Sequence, residues 1–250
     1  MEDFPDHSQH FLGSSDQLKR TELAEMGRPS HVMSRNVRFP TDMPPLFPKA
    51  RNMLANGTYD EKQTNAALAV VRKGDRVVEF GGGIGHMSAV IAKNTEAAQI
   101  HTFEANPALI PCIRRVHSEN DLTNITVHHA ILDKERGSRN FYVRRKFFES
   151  STNREPLAGI LHIADVPVLP AKQTIGALKP DVVICGIEGA EITLLPQLDL
   201  GGVRNAVVTL HPNRTGLEGV KTVFETLHGA GLIYTAKHSS AKVVTFTRAR

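Results

Sequence analysis

From about residue 50 onward, two periodicities alternate along the chain. Tyr59–Val71 carries apolar residues at helical spacing, Lys73-Gly74-Asp75 breaks that period, and Val77-Val78-Glu79-Phe80 follows as a short apolar run. Gly81–Gly85 then interrupts regular structure, and Met87–Lys93 resumes the spacing of a helix. The alternation repeats, with Gln99–Phe103 and Ile125–His129 as strands on either side of a helix over Pro107–Asn120. Asp181–Cys185, Ala206–Leu210 and Leu232–Thr235 read as later strands. Strands that alternate with helices have both faces of their sheet covered, so residues 49–250 are expected to form one Rossmann-like, doubly wound α/β domain with a mostly parallel sheet. Arg139–Phe148 alternates polar with aromatic residues instead, which fits a strand or hairpin decorating that sheet. Leu232–Ala236 and Lys242–Thr247, joined by Lys237-His238-Ser239-Ser240, predict a C-terminal antiparallel hairpin.

The first 48 residues are polar, dotted with proline and without a sustained period, which predicts an irregular arm with one short helix near Ser15–Met26. A lid, an oligomer contact and a loose tail are all compatible with it, so a homo-oligomer stays open. MEDFPDHSQHFLG lacks both the basic and the apolar parts of a secretory signal, and the cytoplasm is the expected compartment.

Composition acts mainly by exclusion. A length of 250 residues suits one domain with a substantial core, and no apolar run is long enough to span a bilayer, so no membrane partner is expected. The net charge of +4 is scattered, with one short cluster at Arg144-Arg145-Lys146. No basic stripe or interleaved aromatic platform accompanies it, and no nucleic-acid partner is expected. Cys112 and Cys185 both fall in apolar stretches and read as packed thiols. No metal is expected, because no histidines and carboxylates stand at ligand spacing.

The chemistry concentrates after the first apolar run. Glu79-Phe80-Gly81-Gly82-Gly83-Ile84-Gly85 spells E-x-G-x-G-x-G where a strand must turn sharply into a helix and admit a nucleoside against its backbone. A dinucleotide motif, G-x-G-x-x-G, would need glycine at His86 or at Ser88, and both frames fail. A carboxylate two residues before the first glycine has little use beside a pyrophosphate, but it attracts the cationic aminoacyl part of S-adenosylmethionine. Thr102-Phe103-Glu104 ends the next strand about twenty residues beyond the turn, where Glu104 would meet a ribose diol.

At these residues the chain resembles the FkbM family of S-adenosylmethionine-dependent methyltransferases, from about Gly57 to Pro212. Gly57-Thr58-Tyr59-Asp60-Glu61 is similar to the block before the family's glycine turn, and Thr102-Phe103-Glu104-Ala105-Asn106-Pro107 to its F-E-P-x-P element. Ile187-Glu188-Gly189-Ala190-Glu191 is similar to D-V-E-G-x-E, and Leu210-His211-Pro212 to the strand end that follows. The resemblance implies a class I methyltransferase fold with a seven-stranded sheet. It also implies O-methylation of a hydroxyl on a natural product, sugar or related small molecule. The family usually has alanine and asparagine where Gly82 and Gly83 stand, and lysine and aspartate where Ile184 and Gly186 stand.

The expected cofactor-binding set is Glu61, Glu79, Gly81, Gly83, Gly85, Glu104 and Ala105, with S-adenosyl-L-methionine as the cofactor. Methyl transfer to a hydroxyl is helped by a base, and Glu188, Glu191 and His211, at strand ends on the carboxyl edge, are the candidates. Each has a plainer reading: Glu191 as a carboxylate at a helix start, His211 as a loop histidine, Glu188 as a turn residue. His86 either touches the cofactor or is exposed, Tyr59 covers the cofactor or packs a helix, and Ser150-Ser151-Thr152 lines the acceptor side or a loop. Of His128 and His129, one must face inward. Base N-methylation would want an N-P-P-Y-like turn where Gly186-Ile187-Glu188-Gly189 stands. A non-catalytic protein that binds or scaffolds with S-adenosylmethionine is the alternative of a different class.

Overall fold

A computed structural model describes residues 30–44, 46–155 and 157–249. The expected helix near Ser15–Met26 lies outside the described residues. The arm expected to be irregular is corrected from His31 onward: β1 (His31–Ser34) and β2 (Val37–Pro40) form an antiparallel hairpin. Arg35 and Asn36 at its tip both have positive φ, which matches the twist of a tight two-residue turn. Val37 and Phe39 point into an apolar cluster with Leu46, Leu54, Ile84, Val90 and Val116. Burial of that face, rather than any length of strand, orders the segment. Helix α1 (Pro48–Ala55), which starts on a proline, carries Ala50 and Leu54 into the same cluster.

The central domain follows the expected alternation. Helix α2 (Glu61–Val70), strand β3 (Arg76–Phe80), helix α3 (His86–Asn94), strand β4 (Gln99–Glu104), helix α4 (Ile110–Glu119) and strand β5 (Ile125–His129) come first. After a small second sheet come helix α5 (Ala171–Leu178), strand β9 (Val182–Cys185), helix α6 (Glu191–Leu194), strand β10 (Asn205–Thr209) and helix α7 (Pro212–Gly229). Strands β11 (Leu232–Tyr234) and β12 (Val243–Arg248) close the chain as the expected antiparallel hairpin. The seven strands lie in the order β11-β12-β10-β9-β3-β4-β5, with β3, β4, β5, β9 and β10 parallel and β12 antiparallel to β10. This is the Rossmann-like α/β architecture read from the periodicity.

Alternation along β3 sends Val78 and Phe80 to one face, where α5, α6 and α7 cover them, and Val77 and Glu79 to the other, beneath α2 and α3. Every residue of β9 is buried, as expected of a parallel strand covered on both faces. The chain leaves β3 in one direction toward β4 and β5 and resumes on its other side at β9 and β10. The carboxyl ends of β3 and β9 therefore flank a topological switch point, where such sheets open a crevice.

Not every element was legible in the sequence: helices α1 and α5 were unassigned, and so was most of a second sheet. Strands β6 (Ile131–Asp133), β7 (Gly137–Arg144) and β8 (Ile160–Pro170) form a second sheet in the order β6-β8-β7. The expected decorating strand is β7, and β8 is its longer partner. Helix α7, also unassigned from sequence, begins on Pro212 and holds Gly216 in a left-handed conformation near its start.

At the opposite edge of the sheet, Arg204 makes a bidentate pair with Asp75 at 2.8 and 2.7 Å and donates to the Val70 carbonyl. Burial raises the Asp75 carboxyl, but the Arg204 bonds and the Arg72 N–H outweigh it and hold the group below its ordinary pKa. Replacing Arg204 with methionine strands that carboxylate, whose side chain is only 6% exposed, and should cost about 3 kcal/mol. Urea unfolding checks it: the midpoint falls at neutral pH, and the difference shrinks as acid protonates Asp75.

Candidate cofactor and acceptor site

The turn between β3 and α3 is built by glycines with different duties. A Cβ on Gly81, whose φ is +90°, would collide with the main-chain carbonyl of Gly186 at the end of β9. One on Gly85 would come within 3.1 Å of the Ile113 Cα on α4, and one on Gly82 within 2.6 Å of the Thr102 hydroxyl. These three let strand, helix and turn approach one another. Gly83 differs: its φ is +54° and nothing lies within 4 Å of the space a Cβ would fill. The space there is open, and the Gly83 N–H donates to Glu104 Oε2 at 2.8 Å.

Glu104 ends β4 and is held by main chain, with Oε1 accepting from the Asn106 N–H at 2.6 Å. Burial raises its pKa, and the N–H groups of Asn106, Gly83 and Ala105 oppose the rise. With these N–H donors engaged, the two oxygens still have lone pairs left for a diol. Glu79 is in a different state. It is 3% exposed and its Oε2 has no hydrogen-bond partner; burial pushes its pKa up to about 8, with the Glu104 and Asp60 carboxylates adding to the rise and the Thr102 and Ser88 hydroxyls opposing it. A buried acceptor left unpaired costs stability of order 1–3 kcal/mol, and such an acceptor beside an open turn is adapted to a cationic or donor group.

Tyr59 and His86 close the same end. The Tyr59 ring lies 5.0 Å from the His86 ring, and Phe39 of the N-terminal hairpin stacks on the other side at 5.6 Å. Burial drives the His86 pKa down to about 3, so the ring is neutral. Burial likewise raises the Tyr59 phenol, and the carboxylates of Asp60, Glu104 and Glu79 add to it, placing Tyr59 among them.

Across the crevice, the loop after β9 and the start of α7 bring together the three residues expected to serve as bases. His211 Nδ1 is 3.0 Å from Glu191 Oε1, and its Nε2 is 3.6 Å from Glu188 Oε1. Arg214 reaches Glu188 Oε2 at 3.3 Å. Glu191 is buried and also accepts the Gly189 N–H at 2.7 Å, tying the turn to the helix start. Burial disfavours a charged His211, yet the two carboxylates outweigh it and raise its pKa to about 9. At neutral pH His211 already holds its proton, which corrects its reading as a ready base. Glu188, with φ of +53°, is engaged by His211 and Arg214.

Glu61 is exposed on the first turn of α2, and among the described residues no hydrogen bond or ion pair ties it to this group. Its neighbour Asp60, which the sequence reading passed over, lies there instead. Asp60 is exposed to solvent, and desolvation by the surrounding protein together with the Glu188 carboxylate pushes its pKa up to about 6. Gln63 was also missed. Its amide donates to the Cys185 carbonyl at 3.0 Å and stands 3.2 Å from where a Cβ on Gly186 would be. A carboxylate beside Tyr59 at a helix start was the available signal for Asp60.

Other candidates resolve into packing. The Ala105 carbonyl accepts from His129 Nε2 at 3.2 Å while its methyl joins the cluster of Phe141, Val143 and Val166. His128 and His129 are both half-buried; His128 is bonded to His101 at 2.9 Å and stacked on Phe103. Ser150 and Ser151 accept hydrogen bonds from Arg144. Among the described residues no group of three or more His, Cys, Asp or Glu is arranged to hold a metal. Nor is any helix among them long and apolar enough to cross a membrane.

No family model and no curated protein matches the sequence. Among solved structures, the chain is similar to M. jannaschii TYW2 in complex with AdoMet, at 16% identity over 89% of each chain with a TM-score of 0.47. It is also similar to precorrin-6y C5,15-methyltransferase from Geobacter metallireducens, at 13% identity over 76% of this chain and 88% of that one with a TM-score of 0.44. A third is a TehB-like SAM-dependent methyltransferase from Corynebacterium glutamicum, at 11% identity over 80% and 95% with a TM-score of 0.43. Likeness at this level assigns no reaction to the chain, whose chemistry rests on its own residues.

Proposed function

We propose that the chain is an S-adenosylmethionine-dependent methyltransferase that O-methylates a hydroxyl of a small molecule. The observation that carries this reading is the buried Glu79 carboxyl, whose Oε2 has no hydrogen-bond partner, close in the chain to the open space at Gly83, with Glu104 ending the neighbouring strand. A nucleoside with a cationic amino-acid tail supplies what those groups lack: an ammonium for Glu79, a ribose diol for Glu104 and a flat surface against the turn. When bound, that cofactor supplies a methyl group on a sulfonium. The chain's own task is to hold an acceptor hydroxyl in line with that methyl, exclude water and receive a proton.

The blocks around Tyr59, Phe103, Glu188 and His211 further support an FkbM-like member of this class, acting on a natural product or sugar. The test is S-adenosylhomocysteine release over catechol, simple flavonoids, hexoses and uronic acids, with a base-modified RNA as the contrasting acceptor. Turnover on a hydroxylated compound is expected. Turnover on the RNA alone removes the acceptor class, and cofactor uptake without turnover on any acceptor favours a binding or scaffolding protein. Glu188→Gln should keep cofactor affinity within about threefold and lower kcat at least tenfold by loosening the His211–Arg214 tie, an effect in the range of a lost positioning contact.

A further inference from the structure

Asp60 occupies the N-cap of α2, a position where aspartate normally accepts a hydrogen bond from the first turn, yet its side chain caps nothing. Its backbone is left-handed, with φ of +45°, and among the described residues no hydrogen bond or ion pair engages its carboxylate. The other acids around it are occupied or buried. Glu188 is tied to His211 and Arg214, Glu191 to His211 and the Gly189 N–H, and Glu104 to Gly83 and Asn106, while Glu79 lies beneath the turn. Gln63, one turn along α2, fills the space beside Gly186 with an amide, so β9 itself presents no carboxylate at its end. The buried Glu79 Oε2, which has no hydrogen-bond partner, points separately to a cationic or donor ligand among these residues.

We infer that Asp60 is the carboxylate that accepts the proton of the methyl acceptor, a role resting on the methyltransferase reading above. The acceptor oxygen uses a lone pair to form the new bond to the methyl carbon. The sulfur–carbon bond breaks with its electron pair passing to sulfur, and the hydroxyl proton moves to Asp60, from which solvent removes it. A carboxylate that solvent reaches, raised toward neutrality by enclosure and by Glu188, suits that task better than the protonated His211. Burial and the Glu188 carboxylate set its titration; Glu188 is itself paired with His211 and Arg214, and Asp60 in turn raises Glu79 on β3 and, with Glu104 on β4, the Tyr59 phenol.

Asp60→Asn should bind S-adenosylhomocysteine within about threefold of wild type by calorimetry, while kcat on whichever panel hydroxyl is accepted falls about a hundredfold or more with KM little changed. The acid limb of kcat near pH 6, expected in the wild type, should disappear with it. Gly186→Asp with Gln63→Ala, added to Asp60→Asn, places a carboxylate on the opposite wall and should restore part of kcat. A second measurement needs no acceptor. In protein labelled with 13C-aspartate, S-adenosylmethionine should lower the Asp60 titration by about one pH unit or more relative to the neutral thioether S-adenosylhomocysteine. Identical titration with the two ligands, unchanged kcat, or a tenfold loss of S-adenosylhomocysteine affinity in Asp60→Asn would each overturn the assignment. Failure of the wild type to bind either ligand would instead overturn the parent reading.

Discussion

Gly83→Val should fold but lose at least a hundredfold in affinity for S-adenosylmethionine, whereas Gly81→Ala, a smaller change two residues earlier, should be strongly destabilised. The difference lies in what surrounds each position. At Gly83 a side chain meets open space, so the native state bears only the cost of a branched residue at φ +54°, about 1–3 kcal/mol. The same side chain fills the volume through which a nucleoside would contact the turn, and affinity should drop at least a hundredfold. At Gly81 the added methyl runs into the Gly186 carbonyl, a main-chain atom fixed by its own hydrogen bond from the Gly186 N–H to the Phe80 oxygen at 3.0 Å. Relief requires β3 and β9 to separate, and overpacking of that kind costs about 3 kcal/mol or more. Circular dichroism with calorimetry separates the two outcomes; a Gly83→Val protein with native affinity removes the turn from the cofactor site.

The second large effect concerns Glu79. Its pKa in the folded protein is about 8, well above the ordinary value of 4.5, so the native state retains a proton that the unfolded chain releases. The stability tied to that proton is therefore complete below about pH 4.5 and is lost as pH rises through 8. Replacing Glu79 with glutamine removes the ionisation, and the ligand-free protein should gain about 2–4 kcal/mol relative to wild type at pH 8 but little at pH 5. The same variant should lose most of its affinity for S-adenosylmethionine, because a neutral amide does not balance an ammonium. A residue that weakens the empty fold while binding ligand marks the trade between stability and activity. Equal thermal stability of the two proteins across this range, with equal affinity, would remove Glu79 from the site.

The sheet was legible in the sequence because its parallel strands are buried on both faces and its helices on one, which leaves two contrasting periods. Val77–Phe80 and Asp181–Cys185 are uninterrupted apolar or nearly apolar runs with turn residues on either side. The glycine turn was legible for the same reason: no other residue type closes a strand-to-helix bend against neighbouring main chain at Gly81. The N-terminal hairpin was hidden because each strand has four residues and its turn is Arg35-Asn36 rather than a glycine-containing pair. Pro167 and Pro170 obscured β8, since proline argues against a paired strand; here Pro167 faces outward and Pro170 ends the strand.

In the site, residue types were legible and orientations were not. Glu79 and Glu104 sit at strand ends, where the register with neighbouring strands fixes which face a side chain takes. Glu188, Glu191 and His211 come from loops, and their meeting depends on how α6 and α7 start. Proximity then changed the chemistry: two carboxylates around one imidazole make His211 a cation, which the spacing in sequence does not disclose. Asp60 and Glu61 are equivalent on paper; the structure sets them apart by the left-handed backbone at Asp60 and by the Glu188 carboxylate acting on Asp60.

The central claim is that the glycine turn with Glu79 and Glu104 takes an adenosine bearing a cationic amino-acid tail, and titration calorimetry tests it directly. S-adenosylmethionine and S-adenosylhomocysteine should each bind at one site with Kd in the micromolar range, about 8 kcal/mol of binding free energy, while NAD gives no heat. No uptake of either adenosyl compound, or binding of NAD in their place, would contradict the account.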